Sequence, residues 1–266
     1  MQYLEHWHLK SLPFDITTDP AFFYESKGHK EAIARISFAV ETQKAIVLLT
    51  GEYGSGKTVV CETVISRLPP ERYKVAFITN PRMDSIDLAR EISFKFGEDI
   101  ASRSIYDVHH ALNILLERHA ATGKHCVVFL DEAQLILDTS ILEDIRLLLN
   151  HQFQRQFIFT LVLVGQTELR DRLKSIPQMT QRIGMKFHIP NLQDDEVPDY
   201  LAHRLAVAGG TAEIFDQSAI AEIVRLSHGN PREINSLADL CLLIGSLTGK
   251  ERIGQEEVLE AWKERA

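Results

Sequence analysis

Cysteine is scarce: Cys61, Cys126 and Cys241 are the only three. Their odd number and wide spacing exclude a disulfide framework and match no zinc pattern, so a reducing cytoplasm is the expected setting. Long apolar runs are absent. The longest β-rich stretch, 157–165, carries Thr160 and is about half the roughly 18–20 residues that cross a bilayer. The first ten residues lack a basic start followed by an apolar run, which argues against a secretory signal. Basic charge is in deficit, with 29 Lys and Arg against 37 Asp and Glu and a net charge of -8. That balance disfavours a protein whose whole surface coats nucleic acid, while leaving room for a local basic patch. Repeats and low-complexity tracts are also missing. What remains, 45% hydrophobic and 25% charged, is the composition of a chain that folds around a core, not of a disordered tail or a membrane bundle.

A chain of 266 residues has room for one large domain or two smaller ones. Five segments are predicted to be parallel strands: 45–50, 75–79, 126–130, 157–164 and 186–189. Four are dense in Val, Ile, Leu or Phe with little alternation, as expected when helices cover both faces of a sheet. The fifth is more polar and suits an edge. Helical patterns at 58–67, 85–96, 106–121, 140–150 and 169–174 alternate with them, which predicts a right-handed, doubly wound α/β sheet. After Pro190 the pattern becomes helical only, at 194–207, 216–226, 231–246 and 255–264, with Gly209-Gly210 and Gly229-Asn230-Pro231 between. The expected division is therefore 1–191, an α/β domain with an N-terminal segment, and 192–266, a helical domain too small to stand free.

One stretch carries chemistry directly. Gly51-Glu52-Tyr53-Gly54-Ser55-Gly56-Lys57-Thr58 fits G-x-x-x-x-G-K-[ST] in full. Glycines let the backbone curl so that successive N–H groups face phosphate oxygens. The helix that starts near Lys57 and runs through Val59 adds its N-terminal dipole. Lys57 supplies a point charge for the β- and γ-phosphates, and the Thr58 hydroxyl is a Mg²⁺ ligand. An apolar strand enters this loop and a helical pattern leaves it, as the motif requires.

A second stretch complements it. Cys126-Val-Val-Phe-Leu-Asp131-Glu132 is an apolar strand ending in two acids. A strand-end Asp131 suits Mg²⁺, and Glu132, pointing another way, suits a general base that polarises the attacking water. The run continues Ala133-Gln134.

These residues, taken with others, resemble one family. The N-terminal Tyr3-Leu4-Glu5-His6-Trp7-His8-Leu9, Pro13-Phe14-Asp15-Ile16-Thr17-Thr18-Asp19-Pro20, Phe22-Phe23-Tyr24 and His29-Lys30-Glu31-Ala32 are similar to the start of ExeA/GspA-type AAA+ ATPases of bacterial general secretion. So are the Asp-Glu-Ala-Gln box, Val164-Gly165-Gln166-Thr167-Glu168-Leu169 and Gly229-Asn230-Pro231-Arg232-Glu233-Ile234-Asn235. The resemblance covers nearly the whole chain in order. It implies an AAA+ P-loop NTPase fold with a C-terminal helical lid, ATP and Mg²⁺ as ligands, ATP hydrolysis, and assembly into a ring or filament. It implies that Gln166 is a polar sensor at a strand end and that Arg232 is a second sensor at the start of a lid helix. An arginine finger acting across a subunit boundary falls at Arg182, with Arg170 and Arg172 as runners-up. Pro13, Phe14 and His29 fall where the family holds adenine, although Phe14 and the Phe22-Phe23-Tyr24 cluster read equally well as core.

The resemblance also implies a protein partner in a secretion or envelope system. Longer relatives continue past the lid into a membrane span and a peptidoglycan-binding region. This chain stops at Ala266, as either an excised ATPase module or a stand-alone soluble relative would, so envelope anchoring does not carry over; the expectation is a cytoplasmic protein, with a place at the inner membrane only through a partner. Two other classes compete: a DNA-associated regulator of the TniB/MuB transposition type, and a nucleotide-gated scaffold with little turnover. The acidic net charge weighs against the first and the intact Glu132 against the second. His6-Trp7-His8 and His109-His110 lack Cys or acidic partners at ligand spacing and are not read as metal sites. Cys61 is expected to be a small core residue.

Overall fold

The computed structural model describes residues 2–15, 19–102, 104–149, 152–153 and 156–265. Five strands form one sheet: β1 (Ile46–Gly51), β2 (Tyr73–Ile78), β3 (His125–Leu130), β4 (Phe159–Gly165) and β5 (Ile183–Ile189). Their spatial order is β2-β3-β4-β1-β5, and every pairing is parallel. This is the doubly wound α/β sheet that the strand and helix alternation predicts. Every residue of β1, β3 and β4 is buried, because helices lie over both faces of the central strands. β5 alternates between part-buried and exposed positions at the sheet edge, in keeping with its polar sequence.

Three expectations shift. β4 starts at Phe159, where it first pairs with Cys126 of β3, while Phe157 belongs to a separate antiparallel pair, Gln152–Phe153 with Gln156–Phe157. β5 starts at Ile183, earlier than predicted, because Ile183 and Met185 already pair with Ile46 and Val47 of β1. The end of the helix predicted over 140–150 falls partly outside the described residues at Asn150; the helix itself runs Thr139–Leu148.

The helices Lys57–Arg67, Ser85–Lys95, Ile105–Ala121, Thr139–Leu148 and Thr167–Lys174 lie where periodicity places them. Asp84, Ser104 and Asp138 cap three of them, each accepting a bond from a backbone N–H of the first turn. A further helix, Lys27–Glu41, buries His29, Ala32, Ile33, Ile36, Ala39 and Val40 along one stripe. Its charged first turn, with Gly28 inside it, hides this stripe in the sequence.

The chain divides into two compact units: His29–Gly51 with Lys57–Ile189, and Met1–Gly28 with Glu52–Gly56 and Pro190–Ala266. The first unit holds the sheet and its core of Leu48, Leu112, Val128, Leu142 and Leu161. The second holds the helices Val197–Val207, Gln217–Ser227, Pro231–Thr248 and Gln255–Arg265. Its core includes Tyr3, Trp7, Leu9, Phe14 and Phe22 from the N-terminal segment together with Leu205, Leu237, Cys241 and Val258. Polar anchors fix that segment. Trp7 Nε1 donates to the Leu242 carbonyl at 2.8 Å, and Tyr3 OH donates to Asp239 Oδ1 at 2.8 Å. Arg204 is buried, donates to the carbonyls of Pro13 at 2.5 Å and Asp15 at 2.7 Å, and covers the Phe22 ring. Asp216 caps its helix through the Ala219 N–H at 2.9 Å with no reciprocal Glu, as the sequence indicates. No helix among the described residues is long and apolar enough to cross a membrane.

Candidate functional site

The carboxyl ends of β1, β3 and β4 adjoin in the parallel register, with Thr50 opposite Gly165 and Leu130 opposite Leu163. The three turns that leave these strands carry Gly51–Thr58, Asp131–Gln134 and Gln166.

The turn after β1 is a glycine turn. Gly54 and Gly56 have φ of +80° and +82°, conformations that side-chain-bearing residues adopt only at a cost of ~1–2 kcal/mol. Ser55 N–H bonds back to the Glu52 carbonyl at 3.1 Å, and the helix begins at Lys57. Lys57 is 5% exposed and its Nζ donates to the Gly51 carbonyl at 3.0 Å, so its ammonium group is held beside the loop. In the unit that contains Glu52–Gly56, Asn230 Nδ2 donates to the Tyr53 carbonyl at 2.9 Å. The Arg232 guanidinium stacks on the Tyr53 ring at 4.3 Å from its centre. A Cβ on Gly54 would come within 2.5 Å of Arg232 Cβ. Arg232 therefore stands against Tyr53 and Gly54. Asn230 also caps its own helix through the Arg232 N–H at 2.9 Å, with Pro231 at the first position.

The turn after β3 brings Asp131 to Thr58: the threonine hydroxyl donates to Asp131 Oδ2 at 2.5 Å. Asp131 is 2% exposed. Burial raises its pKa above the ordinary carboxylate value, and the bonds from Thr58 and the Glu132 N–H pull in the opposite direction. Two hard oxygen donors side by side, one of them a buried carboxylate held by few partners, suit Mg²⁺. Glu132 is the chemical opposite of the glycine turn. It is not glycine, yet its backbone lies in the left-handed region at φ 50°, ψ 36°, a strained conformation of the kind that clusters at functional sites. Its carboxylate accepts a bond from Gln134 Nε2. Gln134 Oε1 in turn accepts from the Gln166 N–H at 3.1 Å, which brings the strand end of Gln166 to the same place. Arg172 donates to the carbonyls of Gln134 and Ile136.

The remaining predicted residues stand elsewhere. Arg182 precedes β5, where Ile183 pairs with Ile46 and Ile189 with Gly51. It sits at the opposite end of β1 from the phosphate loop, roughly 20 Å of strand away. Arg172 is committed to the turn after β3, and Arg170 is exposed. Pro13, Phe14 and His29 are buried; Phe14 lies in the core of the helical unit, edge-on to Phe215 at 6.1 Å. Cys61 is buried, and burial raises its thiol pKa well above the usual value. The roles of Gln134, Arg172, Asn230 and the Tyr53 ring escape the sequence reading. Tyr53 and Gln134 lie inside motifs already singled out and Arg172 stood as a runner-up finger, but none of these contacts is legible there; Asn230 had the Asn-Pro pair that opens a helix.

Comparison with known proteins shows the family to which the chain belongs. A model of the AAA domain matches residues 40–173. The chain is 34% identical over 257 residues to General secretion pathway protein A of Aeromonas hydrophila, a similarity spanning 94% of this chain and 46% of that protein. The chain thus spans less than half the length of this relative. The resemblance to the ExeA/GspA-type ATPases is borne out. Among solved structures, the ORC2 protein of Aeropyrum pernix in ADPNP–ADP complexes superposes with a TM-score of 0.68 at 18% identity, over 95% of this chain and 70% of that one. The ORC1 protein of Aeropyrum pernix in complex with DNA gives 0.67 at 19%, over 89% and 65%. The RuvB Holliday junction branch migration motor of Thermotoga maritima gives 0.58 at 20%, over 91% and 72%. At such identities these likenesses establish the AAA+ fold alone.

Proposed function

The chain belongs to the AAA family of P-loop ATPases, and from that premise we propose that it binds ATP with Mg²⁺ at the turns after β1, β3 and β4 and hydrolyses it. The observation that carries this reading is the bond between Thr58 and the buried Asp131 at 2.5 Å, with the neighbouring Lys57 ammonium bonded to the Gly51 carbonyl at 3.0 Å. Lys57 and the amides of 51–58 take the phosphates. Thr58 and Asp131 would hold Mg²⁺, which would supply positive charge to offset the negative charge of the phosphates. Glu132 accepts a proton from the attacking water while the bond from the γ-phosphorus to the β–γ bridging oxygen breaks, giving ADP and inorganic phosphate. Gln166 and Arg232 address the γ-phosphate.

Arg182 stands too far along β1 to serve its own loop, which supports a finger offered to a neighbouring copy in a ring or filament. The similarity to General secretion pathway protein A supports work in a secretion or envelope system through a protein partner. The net charge of -8 argues against DNA as the main ligand.

Titration of the pure protein with ATP and Mg²⁺ in a calorimeter tests the reading. Uptake is expected for the parent, and Lys57→Ala should weaken it by roughly tenfold to a hundredfold, the loss of charge-assisted bonds to phosphate. No uptake of ATP or ADP by the folded parent would overturn it. ATPase activity measured with and without duplex DNA separates the rival reading, which requires stimulation by DNA.

A further inference from the structure

We infer that Gln134 is a positioning residue for hydrolysis: its side-chain amide holds the Glu132 carboxylate and ties it to the strand end that carries Gln166. The inference rests on the reading of Glu132 as the base.

Three observations carry it. The two ends of one amide are used in opposite senses. Nε2 donates to Glu132 Oε2, and Oε1 accepts the Gln166 N–H at 3.1 Å. A planar amide bonded at both ends cannot rotate without breaking one bond, so it fixes where the carboxylate points. Second, Gly165 makes room for it. A Cβ at that position would lie 2.5 Å from Gln134 Oε1 and 2.8 Å from Leu169 Cδ2. The absence of a side chain at the end of β4 is thus what lets the amide reach the Gln166 N–H. Third, Arg172 anchors the backbone on which Gln134 rides, donating to the carbonyls of Gln134 and Ile136. The carboxylate therefore hangs from a turn braced from the helix Thr167–Lys174, which follows Gln166 directly.

The chemistry follows from geometry. Glu132 occupies a left-handed backbone conformation that does not by itself select one side-chain direction. A general base must present an oxygen within hydrogen-bond reach of the water it deprotonates, and small displacements of such a group are expensive in rate. One carboxylate oxygen bonded to Gln134 leaves the other to meet the water. Because the same amide is bonded to the N–H of Gln166, displacement of that strand end moves the base as well. This gives the γ-phosphate sensor a direct mechanical route to the base.

Two substitutions separate this role from simple packing. Gln134→Met keeps the volume and removes both bonds. Gln134→Glu keeps an acceptor for the Gln166 N–H but sets a second carboxylate against Glu132. For both variants kcat is expected to fall about tenfold or more with the Kd and KM for MgATP unchanged, and the fall should be at least as great for Gln134→Glu. In a Glu132→Gln background neither substitution should lower the residual rate further, since the group being positioned is already gone. Parent kcat in both single variants would overturn the inference, as would a Gln134→Glu variant that keeps parent turnover while Gln134→Met loses it. That second result would leave only the strand-end bond as important. A full further loss in the Glu132→Gln background would also overturn it. If Glu132→Gln itself hydrolyses ATP at the parent rate, the assignment of the base fails instead, and the two failures are distinct.

Discussion

The turns after β1 and β3 solve the same geometric problem in different ways. Each needs a left-handed backbone conformation to present a functional group at a strand end. The first uses glycine, at Gly54 and Gly56, where that conformation is nearly free. The second places Glu132 in it, and the surrounding structure must bear ~1–2 kcal/mol of backbone strain. The glycine turn has no side chain to place at these positions, and in the proposed function its amides are the working groups. The glutamate turn could not use glycine in that function, because the side chain itself would be the working group. On the proposed reading, conformational freedom goes where the backbone would be the ligand, and strain is tolerated where a carboxylate would be the reagent.

Breaking the second turn should have the largest effect. Glu132→Gln keeps the size and loses the basicity. It should bind ATP and lower kcat by roughly a hundredfold to ten-thousandfold, measured as steady-state phosphate release; parent-like turnover would remove Glu132 from the mechanism. Arg182→Ala probes a residue that neither turn can reach. It should spare ATP affinity and depress turnover only at protein concentrations where copies associate, so activity against concentration is the measurement. Equal loss at dilute, monomeric concentration would refute a role in trans.

An exchange of the two solutions sharpens the contrast. Gly54→Ala should weaken nucleotide binding by about tenfold, the equivalent of ~1–2 kcal/mol of left-handed strain, before any displacement of Arg232. Glu132→Gly should abolish turnover yet leave the melting temperature unchanged or higher, because strain is relieved as the bond to Gln134 is lost. A melting temperature several degrees lower would mean that the carboxylate stabilises the turn more than its backbone strains it.

The smallest effect concerns Asp131. Its folded pKa lies above the unfolded value because burial disfavours the ionised form. The group therefore contributes most to stability below the ordinary aspartate pKa, and that contribution is lost as pH rises through the raised value. Asp131→Asn keeps an acceptor for the Glu132 N–H and carries no charge. It should melt above the parent at neutral pH, and the difference should shrink in acid below about pH 4. A difference that grows in acid would reverse the assigned direction.

Much of this site was legible beforehand because its signals are local. The phosphate loop needs particular residues at particular offsets, and the strand ending in Asp131-Glu132 shows both its burial and its acids within a few residues. Gln134 stands in the Asp-Glu-Ala-Gln box and Arg172 among the candidate fingers, but neither carries a local mark of the contact it makes. Their roles depend on which carbonyl or carboxylate lies across a turn, and a polar residue after a strand reads as solvated until its neighbours are known. The helix Lys27–Glu41 escaped for a similar reason: its apolar stripe is set by its packing, and its first turn is charged.

By itself the sequence determined the local grammar of this protein: parallel strands buried on both faces, a glycine loop with its lysine and threonine, paired acids at a strand end, and helices after Pro190. These follow from periodicity and conformational preference, which act over a few residues. Only the tertiary structure decided the strand order β2-β3-β4-β1-β5, the burial of Trp7 and Phe14 in the C-terminal helical core, and the amide bridge from Glu132 to Gln166. Those outcomes depend on contacts between segments far apart in the chain, where packing and hydrogen-bond satisfaction across the whole fold, not local preference, select the partner.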